Sequence, residues 1–465
     1  MPGIDWRETA QQAYDQAAEH NGAADRSVDL AVPEPVPWPE LPRAEAYYGL
    51  AGEIVRLIEP QTEADSVAIL VQILAMFGNA IGRTAYWTVE ETRHHANLFV
   101  VLVGETAKGR KDSSRARAIK VFDRLTSSAA LRTASGLSSG EGLIWAVRDE
   151  IRTRMPVKKG GRVVDYQDVI TDPGISDKRL LVVESEFVLP LRSAAREGNT
   201  LSARLREAWD SGNLSTLTKN CPARACGAHV SLIGCITRAE LSRGMAETEL
   251  LNGLANRFLW VAVRRSKLLP FGGQPVSLGS RDHKLALAVE QATTQREIGL
   301  DTAAGELWSD QLYPRLTEGL PGLIGAITNR AETQVRRLAM IYALLDFAAS
   351  VRIEHLLAAA AMWDYAASSA RWIWGENTGN RLADDILLAL KAAAGAGMSQ
   401  NDIINHFSRH ETAAALGKAL ATLQQAKLAH CQTQKTAGRP VKRWFAGPGE
   451  ISEISEESNY AASSN

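Results

Sequence analysis

Four short, continuous apolar segments constrain the fold of this chain more than any other feature of its sequence. They are ANLFVVLVG (96–104), RLLVVESEF (179–187), HVSLIGCIT (229–237) and FLWVAV (258–263). Unbroken Val/Leu/Ile segments of this length suit central strands of a sheet that is covered on both faces. Segments with helical periodicity lie between them, including EGLIWAVRDEIRTR (141–154) and LSARLREAWD (201–210). Strands that alternate with helices predict an α/β core with a largely parallel sheet.

The rest of the chain divides into segments of different character, as expected for 465 residues, a length that predicts two to four folding units. We predict an N-terminal segment with a proline-rich linker or surface strap (1–43), a core that begins with helices (44–300), a helical subdomain (301–376), a winged-helix domain (381–447) and a disordered acidic tail (448–465). Within the core, SVAILVQILAMFGNAIG (66–82) predicts a buried helix.

Charge and cysteine content limit the location and the partners. The net charge of −1 excludes a wholly basic nucleic-acid coat protein but leaves room for a local basic patch. Four cysteines in a chain of this length form no disulfide framework and favour a reducing compartment. The first residues lack the apolar segment of a signal peptide, and no uncharged apolar segment is long enough to span a membrane. We therefore expect a cytoplasmic protein with no membrane partner.

The segment GETAKGRKDSS (104–114) follows the first apolar run and precedes a helical pattern, the order that a phosphate-binding loop requires. In such loops backbone amides cradle the phosphates, a lysine reaches the β/γ oxygens and a hydroxyl holds Mg²⁺. The usual pattern is GxxxxGK[ST]. Gly104 and Gly109 have its separation, but Arg110 follows Gly109 and the lysine comes one residue late.

We assign Lys111 as the phosphate lysine, Ser113 as the Mg²⁺ hydroxyl with Ser114 as the alternative, and Arg110 as an added phosphate or γ-sensing cation. The predicted cofactors are ATP and Mg²⁺, although the sequence does not separate ATP from GTP. The complete predicted cofactor-binding set is Gly104, Thr106, Lys108, Gly109, Arg110, Lys111, Ser113 and Ser114. The alternative is a basic glycine turn that caps a helix. Asp112 would repel phosphate unless it points away or pairs with Arg115.

Polar residues at the ends of the next two apolar runs fit the same site. A P-loop enzyme needs one acid for the Mg²⁺ shell and another group to orient the attacking water. We assign Glu184 to the metal shell and Glu186 as the general base; the two roles could be exchanged, and ordinary surface acids are the alternative. Residues two apart on a strand share a face, so both acids could point to one site. Thr237 could contact the γ-phosphate or the water, and it also fits a helix capping box.

Residues 381–447 have the pattern of a winged helix: three amphipathic helices followed by a hairpin. The third helix would enter the major groove of DNA and the wing would contact phosphate. The predicted DNA-binding residues are Lys418, Lys435, Arg439, Lys442 and Arg443. A role in protein contact or as a lid is the alternative.

The chain resembles a domain family of uncharacterised function that belongs to the P-loop, RecA-like helicase and replication proteins. Members of this family occur in plasmids, prophages and other mobile elements, often beside or fused to primase modules. The similar stretches are residues 49–83, 97–114, 136–149, 180–187, 205–212, 229–237, 252–266 and 330–346. The resemblance implies an α/β fold: a RecA-like P-loop NTPase core with helical flanking regions and a C-terminal winged-helix domain. The family loop has a small residue where this chain has Asp112.

The resemblance also implies roles for two arginines. Arg257 would be a finger on the γ-phosphate of a neighbouring subunit, and Arg337 a sensor of the same phosphate; an ion pair with a nearby acid is the alternative for each. A finger in trans implies a homo-oligomer such as a hexameric ring. The implied function is an ATP-hydrolysing DNA motor, a replicative helicase or replication initiator, which acts on single-stranded or duplex DNA with a separate primase as a partner. The alternatives are an ATP-gated DNA-binding regulator that turns over slowly and an inactive scaffold partner of a primase or helicase.

Overall fold

A computed structural model describes most of the chain and divides it into two compact units. The described residues are 36–105, 109–123, 125, 130–216, 223–245, 247–320, 322–375, 378, 380–407, 411–426, 428–434 and 440–447. The larger unit is Val36–Arg381, and the smaller one contains the described residues from Leu382 onward. The predictions for residues 1–35 and for the tail 448–465 lie outside the described residues.

The larger unit alternates strands and helices and then continues with helices. Its first part contains α1 (Gly49–Ile58), α2 (Ser66–Ala80), β1 (Tyr86–Val89), β2 (Thr92–His95), β3 (Phe99–Gly104), α3 (Lys111–Phe122), β4 (Thr133–Ala134), α4 (Gly140–Ala146), β5 (Ile151–Lys159), β6 (Arg162–Asp172), β7 (Arg179–Glu184), α5 (Val188–Ala194), α6 (Leu201–Asp210), β8 (Leu214–Ser215), β9 (Arg224–Ala225), β10 (His229–Thr237), α7 (Arg238–Gly244), α8 (Glu247–Leu251) and β11 (Phe258–Ala262). The second part contains α9 (Ser280–Thr294), α10 (Thr302–Leu307), α11 (Tyr313–Thr317), α12 (Gly322–Thr328), α13 (Ala331–Leu345) and α14 (Ile353–Trp374). Helices α10 to α14 occupy most of the described part of residues 301–376, whereas a separate subdomain there stays a prediction.

Five strands form one parallel sheet in the order β11-β3-β10-β7-β4. The four strands predicted from the apolar runs are confirmed as β3, β7, β10 and β11. The edge strand β4 was not predicted, because two residues carry no apolar pattern. The chain is therefore a mixed α/β protein with helices on the sheet, an arrangement compatible with a RecA-like core.

Helices cover both faces of this sheet. Val100 and Leu102 of β3 pack in a buried cluster with α2, α3, α13 and α14. Val101 and Val103 point the other way and pack in a second cluster with α4, α5, α6 and α7. Successive strand residues alternate between faces, so a strand covered on both sides is apolar at every position. This is why the strand sequences are unbroken apolar runs.

The helix α2 confirms the buried helix predicted for residues 66–82. It begins after Asp65, whose Oδ1 accepts a hydrogen bond from the N–H of Val67 at 3.1 Å. The polar residue Asn79 is buried, and its side-chain amide donates to the carbonyl of Leu180 at 3.1 Å. Within the described part of the chain, none of the helices combines the length and apolarity that crossing a membrane requires.

The described end of the proline-rich segment is packed against the larger unit. Trp38 lies on Trp372 with their ring centroids 4.6 Å apart, and the guanidinium of Arg264 is 5.0 Å from the Trp38 ring. Such ring and cation contacts stabilise the attachment. The segment from Val36 onward is therefore a strap rather than a free linker.

The helix predicted across residues 141–154 is wrong beyond Ala146. The helix α4 ends there, and Ile151–Lys159 forms β5, which pairs antiparallel with β6. Arg148 donates two hydrogen bonds to Asp172, each 3.0 Å long, and so joins the segment before β5 to the end of β6. The antiparallel pairs β1–β2 and β8–β9 were not predicted either.

The smaller unit contains three helices and a three-stranded sheet. Its elements are α15 (Arg381–Ala393), β12 (Met398–Ser399), α16 (Gln400–His406), α17 (Ala413–Gln425), β13 (Ala429–Gln434) and β14 (Val441–Ala446), and the sheet order is β12-β14-β13. Its core includes Ile386, Leu390, Ile403, Leu420 and Leu423. Ser399 caps α16 by accepting the N–H of Asp402. The predicted helices and hairpin are confirmed, whereas a DNA-binding role for them stays a prediction.

Candidate nucleotide site at the carboxyl end of the sheet

The carboxyl ends of the central strands bring the predicted residues to one edge of the sheet. Gly104 at the end of β3 is paired in register with Thr237 at the end of β10. Glu184 ends β7 and is paired with Gly234, three residues before the end of β10. The sheet therefore brings the start of the loop, Thr237 and Glu184 to the same edge.

The helices that follow β3 and β10 lie on opposite faces of the sheet. The helix α3 contributes Val121 and Phe122 to the first buried cluster, and α7 contributes Leu241 to the second. A crevice opens where two neighbouring strands lead to helices on opposite faces, and parallel sheets bind ligands there. The β3–β10 edge is such a switch point.

The described part of the loop leads directly into the helix α3. Gly109 is buried, and Arg110 has left-handed backbone angles of φ 55° and ψ 30° immediately before α3 begins at Lys111. The first amides of a helix lack partners within the helix and favour an anion. Thr106 and Lys108, two residues of the predicted set, lie outside the described residues.

The Lys111 side chain is buried near the end of β10. Burial lowers the pKa of Lys111, while the nearby Cys235, Glu240 and Asp112 act in the opposite direction. Cys235 belongs to β10 and Glu240 to the first turn of α7. The lysine predicted for the phosphate therefore lies at the β3–β10 edge.

Thr237 confirms the predicted capping box. Its hydroxyl donates to Glu240 Oε2 at 2.8 Å and accepts the N–H of Glu240 at 3.2 Å. The N–H of Thr237 donates to the same carboxylate, and these bonds hold the pKa of Glu240 below its usual value. A contact from this hydroxyl to phosphate stays a prediction, and it requires the hydroxyl to leave Glu240.

The two serines of the loop have different surroundings. Ser114 is fully buried; its hydroxyl donates to the carbonyl of Lys111 at 2.6 Å and accepts from the side-chain amide of Gln72 at 2.9 Å. Its hydroxyl is therefore part of the packing between α2 and α3. Ser113 is half-buried. The geometry favours Ser113 over Ser114 as the hydroxyl for a metal.

Asp112 is exposed and paired. Its side chain is 74% exposed, and its Oδ1 lies 3.0 Å from Arg115 Nη2. Arg115 also donates from Nη1 to the Ser185 hydroxyl at 2.6 Å, which links α3 to the turn after β7. The pairing with Arg115 that the sequence left open is therefore present.

The two acids after β7 differ in burial and in backbone setting. Glu184 is buried, and its Oε1 accepts the N–H of Leu137 at 2.7 Å. Burial raises the pKa of Glu184, and the bonds from the Leu137 and Gly136 amides oppose this rise. Glu186 lies in the turn after the strand and is exposed. The prediction that both acids share one strand face is wrong, because β7 ends at Glu184.

Arg337 lies at the opposite end of the sheet from the loop. Its side chain is buried and donates to the carbonyl of Asn97 at 2.8 Å, the side-chain oxygen of Asn97 at 2.9 Å and the carbonyl of Trp209 at 2.8 Å. Asn97 precedes β3, whereas the loop follows it, and a strand of this length spans roughly 20 Å. The prediction of Arg337 as a phosphate sensor is therefore wrong in this conformation.

Arg257 is buried before the start of β11, also at the amino end of the sheet. Its Nη2 lies 2.6 Å from Asp210 Oδ2, and Nη1 donates to the carbonyl of Gly253. Only 8% of the side chain is exposed. The ion pair that was the alternative to a finger is thus present, and a finger in trans would require this pair to open.

The predicted DNA-binding residues of the smaller unit are partly described. Lys418 on α17 and Lys442 on β14 are exposed. Arg443 is half-buried and donates to the carbonyls of Ala396 and Gly397 at 2.7 and 3.1 Å, so it fastens the hairpin to the turn before β12. Lys435 and Arg439 lie outside the described residues.

One group of potential metal ligands occurs in the described ranges, away from this edge. Asp346, Glu354 and His355 approach one another closely. Arg352 forms ion pairs with both acids, and its N–H donates to His355 Nδ1 at 3.0 Å. The ring proton is then on Nε2, which donates to Asp346 at 3.2 Å. Both ring nitrogens are engaged, so this group is better described as an ion-pair network.

The partner of Arg110 could not be predicted from the sequence. Its Nε lies 2.6 Å from Glu63 Oε2, and Arg265 lies 3.6 Å from the same oxygen. Glu63 precedes α2 and carries no motif, so only the tertiary structure identifies it as part of the site. Gln72 was missed for the same reason.

No protein-family model matches the chain, and a search of curated proteins finds no match. The resemblance to P-loop replication proteins therefore stays a prediction.

Proposed function

We propose that the chain is an ATP-hydrolysing DNA motor, a replicative helicase or replication-initiation protein of a plasmid, phage or integrated element. The observation that carries the proposal is the position of Lys111. The lysine begins the helix that follows the first central strand, and it lies beside the end of β10 at a topological switch point. A RecA-like P-loop core accounts for this arrangement.

The residues at this edge fit ATP and Mg²⁺. Backbone amides at the start of α3, together with Lys111 and Arg110, would hold the phosphates. Ser113 and Glu184 would hold Mg²⁺, which when bound neutralises charge on the phosphate oxygens. Glu186 is exposed in the turn beside Glu184, where it could accept a proton from the attacking water.

The proposed DNA contacts belong to the smaller unit, a winged-helix domain in this proposal. Lys418 and Lys442 present exposed ammonium groups. Phosphate contacts of this kind give affinity without base specificity. A homo-oligomer, such as a hexameric ring, and a separate primase complete the proposed machinery in the cytoplasm.

A second candidate is an ATP-gated DNA-binding regulator that hydrolyses slowly. The engagement of Glu184 with the Leu137 amide favours it, because one carboxylate oxygen is already bound to protein. The pairing of Arg110 with Glu63 also holds a loop cation away from a phosphate. An inactive scaffold partner of a primase or helicase would bind no nucleotide.

The test is ATP and GTP hydrolysis by the full chain, with and without single-stranded DNA. We expect DNA-stimulated ATP hydrolysis, lost in Lys111→Ala and reduced at least about a hundredfold in Glu186→Gln with ATP binding retained. Lys120→Ala is the matched control, since Lys120 lies on the same helix but is exposed and paired with Asp123.

The outcomes separate the candidates. ATP binding without turnover in the unmodified chain would favour the regulator. Absence of nucleotide binding would overturn the nucleotide site and favour the scaffold. Glu184→Gln distinguishes the two acids. A raised Mg²⁺ requirement would assign Glu184 to the metal, whereas a lower kcat at saturating Mg²⁺ would make Glu184 the general base and Glu186 the metal ligand.

A further inference from the structure

The antiparallel pair β5–β6 is a long ribbon that is exposed along nearly its whole length. Its strands contain 9 and 11 residues, and most of their side chains are exposed. The exposed apolar members are Met155, Val163, Val164, Tyr166 and Ile170, each 42–59% accessible. A two-stranded ribbon without a covering layer is marginally stable by itself. The exposed apolar side chains therefore indicate that the ribbon contacts another molecule.

The base of the ribbon is fixed to the larger unit. Arg148 forms two hydrogen bonds with Asp172 at the end of β6. Asp149 forms an ion pair with Lys178 at 2.8 Å and accepts the N–H of Cys226 at 3.0 Å. These contacts lie beside the start of β7, at the amino end of the sheet and opposite the candidate nucleotide site. The base is thus anchored while the rest extends into solvent.

The tip of the ribbon is a tight turn with basic residues on both sides. Lys159 pairs with Arg162, and the two residues between them are Gly160 and Gly161 with φ of 58° and 81°. Two successive positive φ values define the turn that matches the twist of a hairpin, and glycine adopts them without strain. The tip therefore carries Lys158, Lys159 and Arg162 on a short turn.

The strand register places further cations and an aromatic ring on one face. Pro156 is opposite Tyr166 and Arg154 is opposite Asp168. Because residues two apart on a strand share a face, these four residues lie on the same face of the ribbon. Tyr166 is 52% exposed, and the Arg154 guanidinium is 5.3 Å from its ring. Lys158 lies on this face as well. The face thus combines an exposed aromatic ring with two basic groups, Arg154 and Lys158, and one acid, Asp168.

The charge of the ribbon is basic although the chain as a whole is not. Residues 151–172 contain five Lys and Arg against three Asp. One of these acids, Asp172, is committed to Arg148 at the base, and Arg152 pairs with Glu150 at 2.7 Å. The excess positive charge lies toward the tip, where Lys158, Lys159 and Arg162 are found. A polyanion is the complementary occupant.

We propose that the β5–β6 ribbon binds a single strand of nucleic acid, with the tip cations on the phosphates and a base stacked at Tyr166. Sequence-independent binding of single strands combines cations that follow the backbone with aromatic side chains that stack on bases. The inference rests on the proposed function in that it assigns a DNA contact to the same protein. It adds a contact in the larger unit that is separate from the smaller unit's basic residues.

The test is fluorescence anisotropy of the full chain with a labelled oligo-dT, the matching oligo-U and a duplex. The variant Lys158→Gln/Lys159→Gln/Arg162→Gln is expected to weaken single-strand affinity at least about tenfold and to reduce the salt slope by about 2. Tyr166→Ala is expected to weaken it about fivefold to a hundredfold, and Tyr166→Phe to restore it. Lys284→Gln/Arg296→Gln, which changes exposed cations elsewhere, is the control. The ATPase rate without DNA should be unchanged in all of them.

Each outcome decides the inference. Equal weakening of oligo-dT and oligo-U supports a single-strand site for either nucleic acid, and selective weakening of one identifies the ligand. Unchanged affinity in the ribbon variants overturns the inference while a DNA-stimulated ATPase leaves the proposed function in place. If the chain hydrolyses no ATP but its DNA binding still depends on the ribbon residues, the inference stands and the proposed function is overturned. Binding of poly-glutamate in place of nucleic acid would overturn the inference in favour of an acidic protein as the partner. If the ribbon lysines serve only to prevent pairing with another strand edge, the ribbon variants will bind nucleic acid with unchanged affinity.

Discussion

Arg110 Nε lies 2.6 Å from Glu63 Oε2, so an acid that precedes α2 holds the cation that precedes α3. Glu63 is itself held, because the N–H of Leu269 donates to its other carboxylate oxygen at 2.8 Å. These bonds and the neighbouring arginine cations hold the pKa of Glu63 below its usual value. Three segments far apart in sequence therefore meet at the start of α3.

Replacing Arg110 with glycine should give a more stable protein than replacing it with alanine. Both changes remove the pair with Glu63, but only glycine adopts φ 55° without the steric cost of a Cβ, which is about 1 kcal/mol. The urea midpoint of Arg110→Gly should exceed that of Arg110→Ala accordingly. Equal midpoints would show that the left-handed conformation is not retained. If Arg110 binds phosphate, both variants lose ATP affinity to the same extent.

The two loop serines should separate stability from metal binding. Ser114→Ala removes an acceptor from the buried Gln72 amide and should cost about 1–3 kcal/mol in the free energy of unfolding. Ser113→Ala should leave stability within about 0.5 kcal/mol and raise the Mg²⁺ concentration needed for hydrolysis. Denaturant unfolding and Mg²⁺ titrations of the ATPase measure the two effects. A raised Mg²⁺ requirement in Ser114→Ala alone would assign the metal to Ser114.

Burial of Glu184 should make stability fall as the pH rises. The raised pKa means that the folded state binds this proton more tightly than the unfolded state. The resulting contribution is complete below the unfolded-state pKa, near 4.5, and is lost as the pH rises through the higher folded-state pKa. Glu184→Gln should remove this dependence, so the variant should gain stability relative to the unmodified chain between pH 4 and pH 8.

Urea unfolding across that pH range gives the measurement, and Glu186→Gln is the control because Glu186 is exposed. A stability difference between Glu184→Gln and the unmodified chain that is constant with pH would contradict the raised pKa. A difference of the opposite sign would indicate that the bonds from the Leu137 and Gly136 amides outweigh burial.

The strands could be predicted from the sequence where helices cover both faces of the sheet, as in β3 and β10. The β5–β6 ribbon could not, since exposed strands such as Arg162–Asp172 have no apolar run to mark them. The first residues of β5 were instead assigned to the helix predicted over residues 141–154. The predicted strands were recognised by the unbroken apolar runs that burial on both faces requires, and not by strand propensity.

The site was predictable only where chain order fixes position. Parallel strands bring their carboxyl ends to one edge, so Gly104, Glu184 and Thr237 could be placed near one another. The contacts of Arg337 with Asn97 and Trp209 join residues 240 and 128 positions apart, and nothing local indicates them. The family resemblance therefore implied a phosphate ligand where the fold uses a buried structural cation.

The Arg257–Asp210 pair allows a test of the finger in trans. If the pair is structural, Arg257→Ala should lower the free energy of unfolding by about 1–2 kcal/mol, because the bonds of this buried side chain to Asp210 and to the Gly253 carbonyl are lost. Asp210 is 40% exposed and keeps Arg330 at 3.6 Å, so it is not left unpaired. A double-mutant cycle with Asp210→Asn should then give a coupling energy of about 1 kcal/mol or more. A finger predicts a different result: Arg257→Ala keeps its stability but loses hydrolysis, and Asp210→Asn leaves hydrolysis unchanged.

Mixed assemblies decide between these results even if both variants are less stable. An Arg257→Ala chain with an intact Lys111 could receive a finger from a Lys111→Ala chain that keeps Arg257. Mixing the two inactive variants would therefore restore ATP hydrolysis if Arg257 acts across a subunit boundary. Because a structural arginine cannot be supplied by a neighbouring chain, the ion pair with Asp210 predicts no restoration at any mixing ratio.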